Sequence, residues 1–114
     1  MRAQAWSLGA HAKVKAQRGL PDAAAYRTLA LKMPTLLHQS GPVQAITFVL
    51  SRGGAAGKVF ADDLAKVAEH GDGAALLKVV QEAELAPYMA LSTQLIDIAA
   101  WFRRYAQIEL ESKP

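Results

Sequence analysis

The stretch KMPTLLHQSGPVQAITFVLSR, residues 32–52, holds two prolines, one glycine and few charges, and its reading decides the fold. Tyr26, Leu29, Met33, Leu36 and Leu37 form one stripe at helical spacing, and that stripe crosses Pro34 without changing phase. A proline inside a helix removes one backbone donor and crowds the carbonyl four residues back, here that of Ala30. The unbroken stripe therefore predicts a helix kinked at Pro34. Ser40-Gly41-Pro42 reads differently. Gly suits the left-handed position after a helix end, and Pro is preorganised for the first turn of the next helix. The residues that follow, about Pro42 to Ser51, are apolar nearly all round apart from Gln44 and Thr47. Such a helix belongs in the middle of a bundle.

The flanks are also helical. Ala3, Trp6, Ala10 and Val14 share a stripe of a first helix, with His11, Lys15 and Arg18 on another side. Gly19-Leu20-Pro21 ends it, and Asp22 is placed to cap the second helix. Gly53-Gly54-Ala55-Ala56-Gly57 reads as a flexible connection. A fourth helix is expected over about Val59–His70, and a fifth over about Gly73–Glu84 with Asp72 as its cap. The longest runs from about Pro87 to Glu111, burying Tyr88, Leu91, Leu95, Ile98, Phe102 and Tyr105, with Trp101 on the flank. No segment alternates as a strand does, and no internal repeat is present. The expectation is an all-α, single-domain bundle of about six helices spanning residues 1–114, with a long C-terminal helix.

A chain of 114 residues buries enough surface for a core without staples. It has no Cys, which excludes disulfides, thiolate metal sites and cysteine nucleophiles and points to an intracellular protein. No apolar run reaches the ~18 residues of a membrane span. The first eighteen residues are basic and acid-free, as in a transit peptide, but their periodicity favours an amphipathic helix.

The net charge of +3 conceals a division. Residues 1–58 hold eight Lys and Arg against Asp22 alone, a net +7, whereas residues 59–114 hold five against nine acids, a net −4. Such asymmetry suggests a polyanion partner for the basic half. The candidates for backbone contact are Lys13, Lys15, Arg18, Arg27, Lys32, Arg52 and Lys58, joined by Arg103 and Arg104 from the last helix. Basic side chains on adjacent helices can follow phosphates without reading bases. Tyr26 and Phe48 fall on expected core faces, so stacking on exposed aromatics is not expected.

Catalytic motifs fail on spacing. Gly53–Lys58 places three residues between its glycines where a phosphate loop needs four, lacks the Ser or Thr after Lys, and follows a helix. Gly54-Ala55-Ala56-Gly57 spells the GXXG of a KH domain, but that domain needs a sheet. Asp63 and His70 share a helix face yet stand ~10 Å apart, too far for one ion. Asp62, Asp63, Glu69 and Asp72 read as first-turn and surface charges. No G-x-S-x-G elbow supports serine hydrolysis. No catalytic residue, metal or cofactor is expected. On the last helix Met89, Ile96 and Leu110 lie away from the core stripe, either as a line of protein contacts or packed under the preceding helices. Asp97 and Arg104 share a similar heading.

Two blocks carry a family resemblance. One is Ala25-Tyr26 through Lys32-Met33-Pro34-Thr35-Leu36-Leu37, Gly41, and Ala45-Ile46-Thr47-Phe48-Val49-Leu50-Ser51. The other is Tyr88-Met89-Ala90-Leu91-Ser92-Thr93, continuing to Trp101-Phe102-Arg103-Arg104-Tyr105-Ala106. Over about Trp6–Glu111 the chain resembles the small helical subunit of the type III-B CRISPR (Cmr) RNA-silencing complex. Arg103 and Tyr105 stand where the family pattern usually has Lys and Phe, and Gly41-Pro42 replaces an Asn-Gly-Leu-like turn. The resemblance implies a non-catalytic subunit in antiviral defence, in the prokaryotic cytoplasm. It would stack with further copies of itself beside the backbone subunits, lining the groove that holds guide RNA and target RNA, with no membrane contact. The rival reading is a helical protein–protein adaptor that touches no nucleic acid.

Overall fold

In a computed structural model of the chain, which describes residues 2–111, the opening stretch lies in one long helical element, α2, Ala23–Arg52. Its backbone leaves helical dihedrals at Gly41 (φ 81°, ψ 165°), a left-handed conformation that side chains disfavour. The break in helical backbone falls at Gly41, within the expected Ser40-Gly41-Pro42 turn, and Pro34 keeps helical dihedrals. The expected second and third helices are the two arms of α2. With α1 (Arg2–Lys15), α3 (Gly54–Val67), α4 (Gly73–Glu82) and α5 (Leu85–Glu109), the described residues form five helices, not six, and contain no strand. The all-α class and the long C-terminal helix stand.

The supposed flexible connection is not a loop. Gly53 alone separates α2 from α3, and Gly54–Gly57 form the first turn of α3. Gly53 N–H donates to the Val49 carbonyl and Gly57 N–H to the Gly53 carbonyl, each at 2.9 Å. The glycines are there for proximity, since a Cβ on Gly57 would lie 2.2 Å from the Val49 oxygen.

The two expected caps part ways. Asp72 has an extended backbone (φ −112°, ψ −176°), and its carboxylate accepts from Ala75 N–H at 2.9 Å. Asp22 holds φ −96° and ψ 11°, outside the extended region of a capping residue, and its side chain makes no capping bond.

The core sits where α2 packs on α5 and α3, with α1 closing over α5. Tyr26 from α2, Phe60 from α3 and Phe102 from α5 are fully buried. Their rings meet edge-to-face at 5.3 Å (Tyr26–Phe60) and 5.5 Å (Phe60–Phe102). Such pairs add about 0.5–1.5 kcal/mol each beyond area burial. The expected α5 stripe is buried at Leu91, Leu95, Ile98 and Phe102, while Tyr88, Trp101 and Tyr105 are half-buried at its edges. In α1, Ala10 and Val14 are buried, Trp6 is half-buried and Ala3 is exposed.

Two expectations about burial are corrected. Asp63, read as a surface charge, is 8% exposed and accepts a 2.8 Å hydrogen bond from the Tyr26 hydroxyl. Its turn of α3 faces the α2 stripe, so the carboxylate is carried inward with Phe60 and Leu64. Phe48, assigned to the core, is 38% exposed. Once the chain bends at Gly41, the second arm of α2 buries Ala45, Ile46 and Val49 and turns Phe48 out beside Gln44 and Thr47.

Candidate nucleic-acid interface

The basic residues occupy two settings. The first surrounds the end of α5. His11 Nε2 donates to Glu109 Oε2 at 2.6 Å, and Arg18 Nη1 reaches Glu109 Oε1 at 3.3 Å. The next residue accepts too: Arg27 Nε donates to the Leu110 carbonyl at 3.0 Å, satisfying a carbonyl at a helix C-terminus. His11 also stacks on Tyr105 (4.1 Å, 8° between planes), whose hydroxyl lies 2.6 Å from Ser7 Oγ. Half of the N-terminal basic cluster thus ties α1 and α2 to the negative end of α5.

Glu109 is the charge these groups share. The His11 hydrogen bond, with the positive charges of His11, Arg18 and Lys15, holds its carboxyl below the usual carboxylate range against the opposing effect of burial. A depressed folded value gives stability that is present above the ordinary carboxylate range and lost as pH falls through the depressed value. Glu109→Gln is accordingly expected to weaken the protein at neutral pH and to match it in acid. Urea denaturation at the two pH values checks this.

The second setting is α2, which carries Arg27, Lys32 and Arg52 and no carboxylate along its thirty residues. Lys32 and Arg52 are exposed and, among the described residues, form no ion pair. Of the other candidates, Lys15 and Arg103 are exposed, and Arg104 is stacked over Trp101 at 5.1 Å. Lys58 pairs with Asp62 at 3.3 Å, which also accepts from Gly73 N–H at 2.8 Å. Lys13 is half-buried and near enough to Asp63 to offset part of the upward push of burial on that carboxyl. The fold gathers Lys15, Arg18 and Arg27 at one end. Lys32 and Arg52 flank the bend of α2, and Arg103 and Arg104 stand on α5.

The apolar line on α5 does not hold together. Met89 is 60% exposed, Ile96 is half-buried against the core, and Leu110 is only 4% exposed. Leu110 takes the other reading and packs under its neighbours, because the chain leaves the helix there with an extended backbone. Leu85, 74% exposed one turn before Met89, extends the outward patch instead. Sequence reasoning missed this residue and Phe48. The signal for Phe48 was present, since Gln44, Ser51 and Arg52 share its helix face at i−4, i+3 and i+4.

Among the described residues no group of three His, Cys, Asp or Glu side chains could hold a metal ion, and no helix is long and apolar enough to cross a membrane. The fold defines a small all-helical protein whose first 58 residues carry most of its positive charge. The chain belongs to the Cas_Cmr5 family of CRISPR-associated proteins, whose pattern it matches over residues 2–109. It is 39% identical over 110 residues to the CRISPR system Cmr subunit Cmr5 of Thermus thermophilus, covering 96% of each chain. It is also similar to the crystal structure of a CRISPR-associated Cmr5 family protein from Thermus thermophilus. The TM-score is 0.94 at 39% identity, over 97% of this chain and 98% of that one.

Proposed function

We propose that this chain is a non-catalytic small subunit of a type III-B CRISPR Cmr ribonucleoprotein, acting in the prokaryotic cytoplasm. It packs beside the backbone subunits and further copies of itself and holds guide and target RNA through its basic face. The observation that carries the RNA contact is α2, with exposed Lys32 and Arg52 and not one carboxylate. With no acid on α2 to offset them, Lys32 and Arg52 attract a polyanion. Lys15, Arg18, Arg103 and Arg104 add charge from α1, the turn after it and α5, with Lys13, Arg27 and Lys58 as partly engaged contributors. Base pairing between guide and target supplies sequence recognition, and this subunit supplies charge and shape.

The test is Lys32→Glu with Arg52→Glu in the assembled complex, two exposed side chains that form no ion pair among the described residues. Target RNA retention is expected to fall roughly tenfold or more at physiological salt. The slope of log affinity against log salt should flatten by about 0.7 per lost single-strand contact. Affinity and slope both equal to wild type would remove the basic-face assignment. The adaptor without nucleic-acid contact is the second reading, favoured by exposed Leu85 and Met89 on one face of α5. Native pulldown with and without ribonuclease separates the two: partners retained in full, with RNA never copurifying, select the adaptor.

A further inference from the structure

The bend at Gly41 leaves a surface groove along α2. Two adjoining depressions of about 470 and 370 Å³ open there, and Leu36 and Phe48 line both of them. Arg52 lies in the first depression and Lys32 in the second. Between them the uncharged amides of Gln39 and Gln44 border the groove, and no carboxylate lines either depression. An aromatic ring left 38% exposed therefore sits between two exposed cations in an acid-free surface.

We propose that this groove seats an unpaired RNA nucleotide, its base stacked on Phe48 and its flanking phosphates held by Lys32 and Arg52. The proposal rests on the RNA-binding reading above and gives it a location. Ring and cations together specify the occupant. A single strand offers a π-face to the ring and a phosphate to each side, which is how sequence-tolerant strand binding is built. In a duplex the faces of each base are covered by its neighbours, so the nucleotide must be splayed out of the stack. Gln39 and Gln44 each carry a donor and an acceptor, so they can meet the edge of any base. A protein partner would need a carboxylate for each cation as well as an apolar knob for the ring, whereas every nucleotide step supplies both elements.

The experiment uses the assembled complex and a target RNA carrying a photoreactive pyrimidine at successive positions. Cross-links are expected within residues 32–52. Phe48→Leu keeps apolar bulk but loses the ring, and is expected to weaken RNA retention about tenfold with the salt slope unchanged. Phe48→Trp should restore it, and Lys32→Gln with Arg52→Gln should flatten the slope. If Phe48→Leu binds like wild type while Lys32→Glu with Arg52→Glu still weakens binding, the base seat is overturned and the RNA reading survives. If neither set has an effect, both fall. If Phe48→Leu lowers incorporation of the chain into the complex without altering RNA retention, the groove is a protein contact and the proposal is overturned.

Discussion

Gly57→Ala is expected to destabilise the protein by about 3 kcal/mol, at the upper end of overpacking costs. Helix propensity alone gives the opposite sign, because Ala in place of a helical Gly is favoured by about 1 kcal/mol. Gly57 lies inside α3, but the nearest heavy atom to its missing Cβ belongs to α2, the Val49 oxygen at 2.2 Å. No real Cβ approaches a backbone oxygen so closely. That oxygen is fixed, since it accepts from Gly53 N–H at 2.9 Å, and Gly53 would itself place a Cβ only 2.5 Å from it. The methyl can be admitted only by prising the start of α3 off the end of α2, which strains the Phe60 contacts beyond it. For a chain of this length the loss corresponds to roughly 10 °C in Tm. A Gly57→Ala variant at least as stable as wild type would show that the two helices do not meet as described.

What the sequence revealed, and what it hid, follows the reach of each signal. Helix identity is local, so the stripes through Tyr26, Leu29, Met33 and Leu37 and through Leu91, Leu95, Ile98 and Phe102 were legible. The break at Gly41 was legible in Ser40-Gly41-Pro42, while Pro34, read as a kink, keeps helical dihedrals. The division of charge was legible because it needs only counting. Which cations are engaged was not, because Glu109 lies 98 residues from His11 and 91 from Arg18. The same distance effect hid Asp63, whose donor Tyr26 stands 37 residues upstream on another helix. An acid in the third turn of a helix, next to another acid, looks solvated until the helix is placed.

The division between engaged and free cations sharpens the functional reading. Arg18 and Arg27 help hold α1 and α2 to the end of α5, so substituting them alters the fold as well as any RNA contact. Lys32 and Arg52 have no such duty among the described residues. They therefore report on binding with the least structural side effect, which makes the α2 variants the sharper probe. Phe48 strengthens that choice, because its ring is already partly in solvent and its replacement by Leu leaves the core rings untouched.

Tyr26→Phe is expected to cost about 2 kcal/mol at neutral pH, the range for a buried hydrogen bond to a charged group. The change removes one oxygen from the core and leaves the Asp63 carboxylate without its donor. Burial raises the Asp63 carboxyl above its ordinary value, and the Tyr26 hydrogen bond, Lys13 and Lys66 pull it back down. Burial pushes the Tyr26 hydroxyl up as well, with the Asp63 charge adding to it, so the phenol stays protonated and donates. Without that donor the Asp63 carboxyl rises further. A raised folded value means that the native state keeps a proton the unfolded chain has already lost. Stability then falls as pH climbs from the ordinary carboxylate range through the raised value, and the penalty is complete above it. The Tyr26→Phe deficit should therefore be small near roughly pH 4 and larger near roughly pH 7.5. Asp63→Leu in the Tyr26→Phe background removes the stranded carboxylate and should recover most of the loss, as replacing both partners of a buried polar pair by apolar groups is nearly neutral. Urea denaturation of the wild type, both single variants and the double variant at the two pH values completes the cycle. A deficit independent of pH, with no recovery in the double variant, would place the cost in ring packing against Phe60 instead of in the hydroxyl–carboxylate bond.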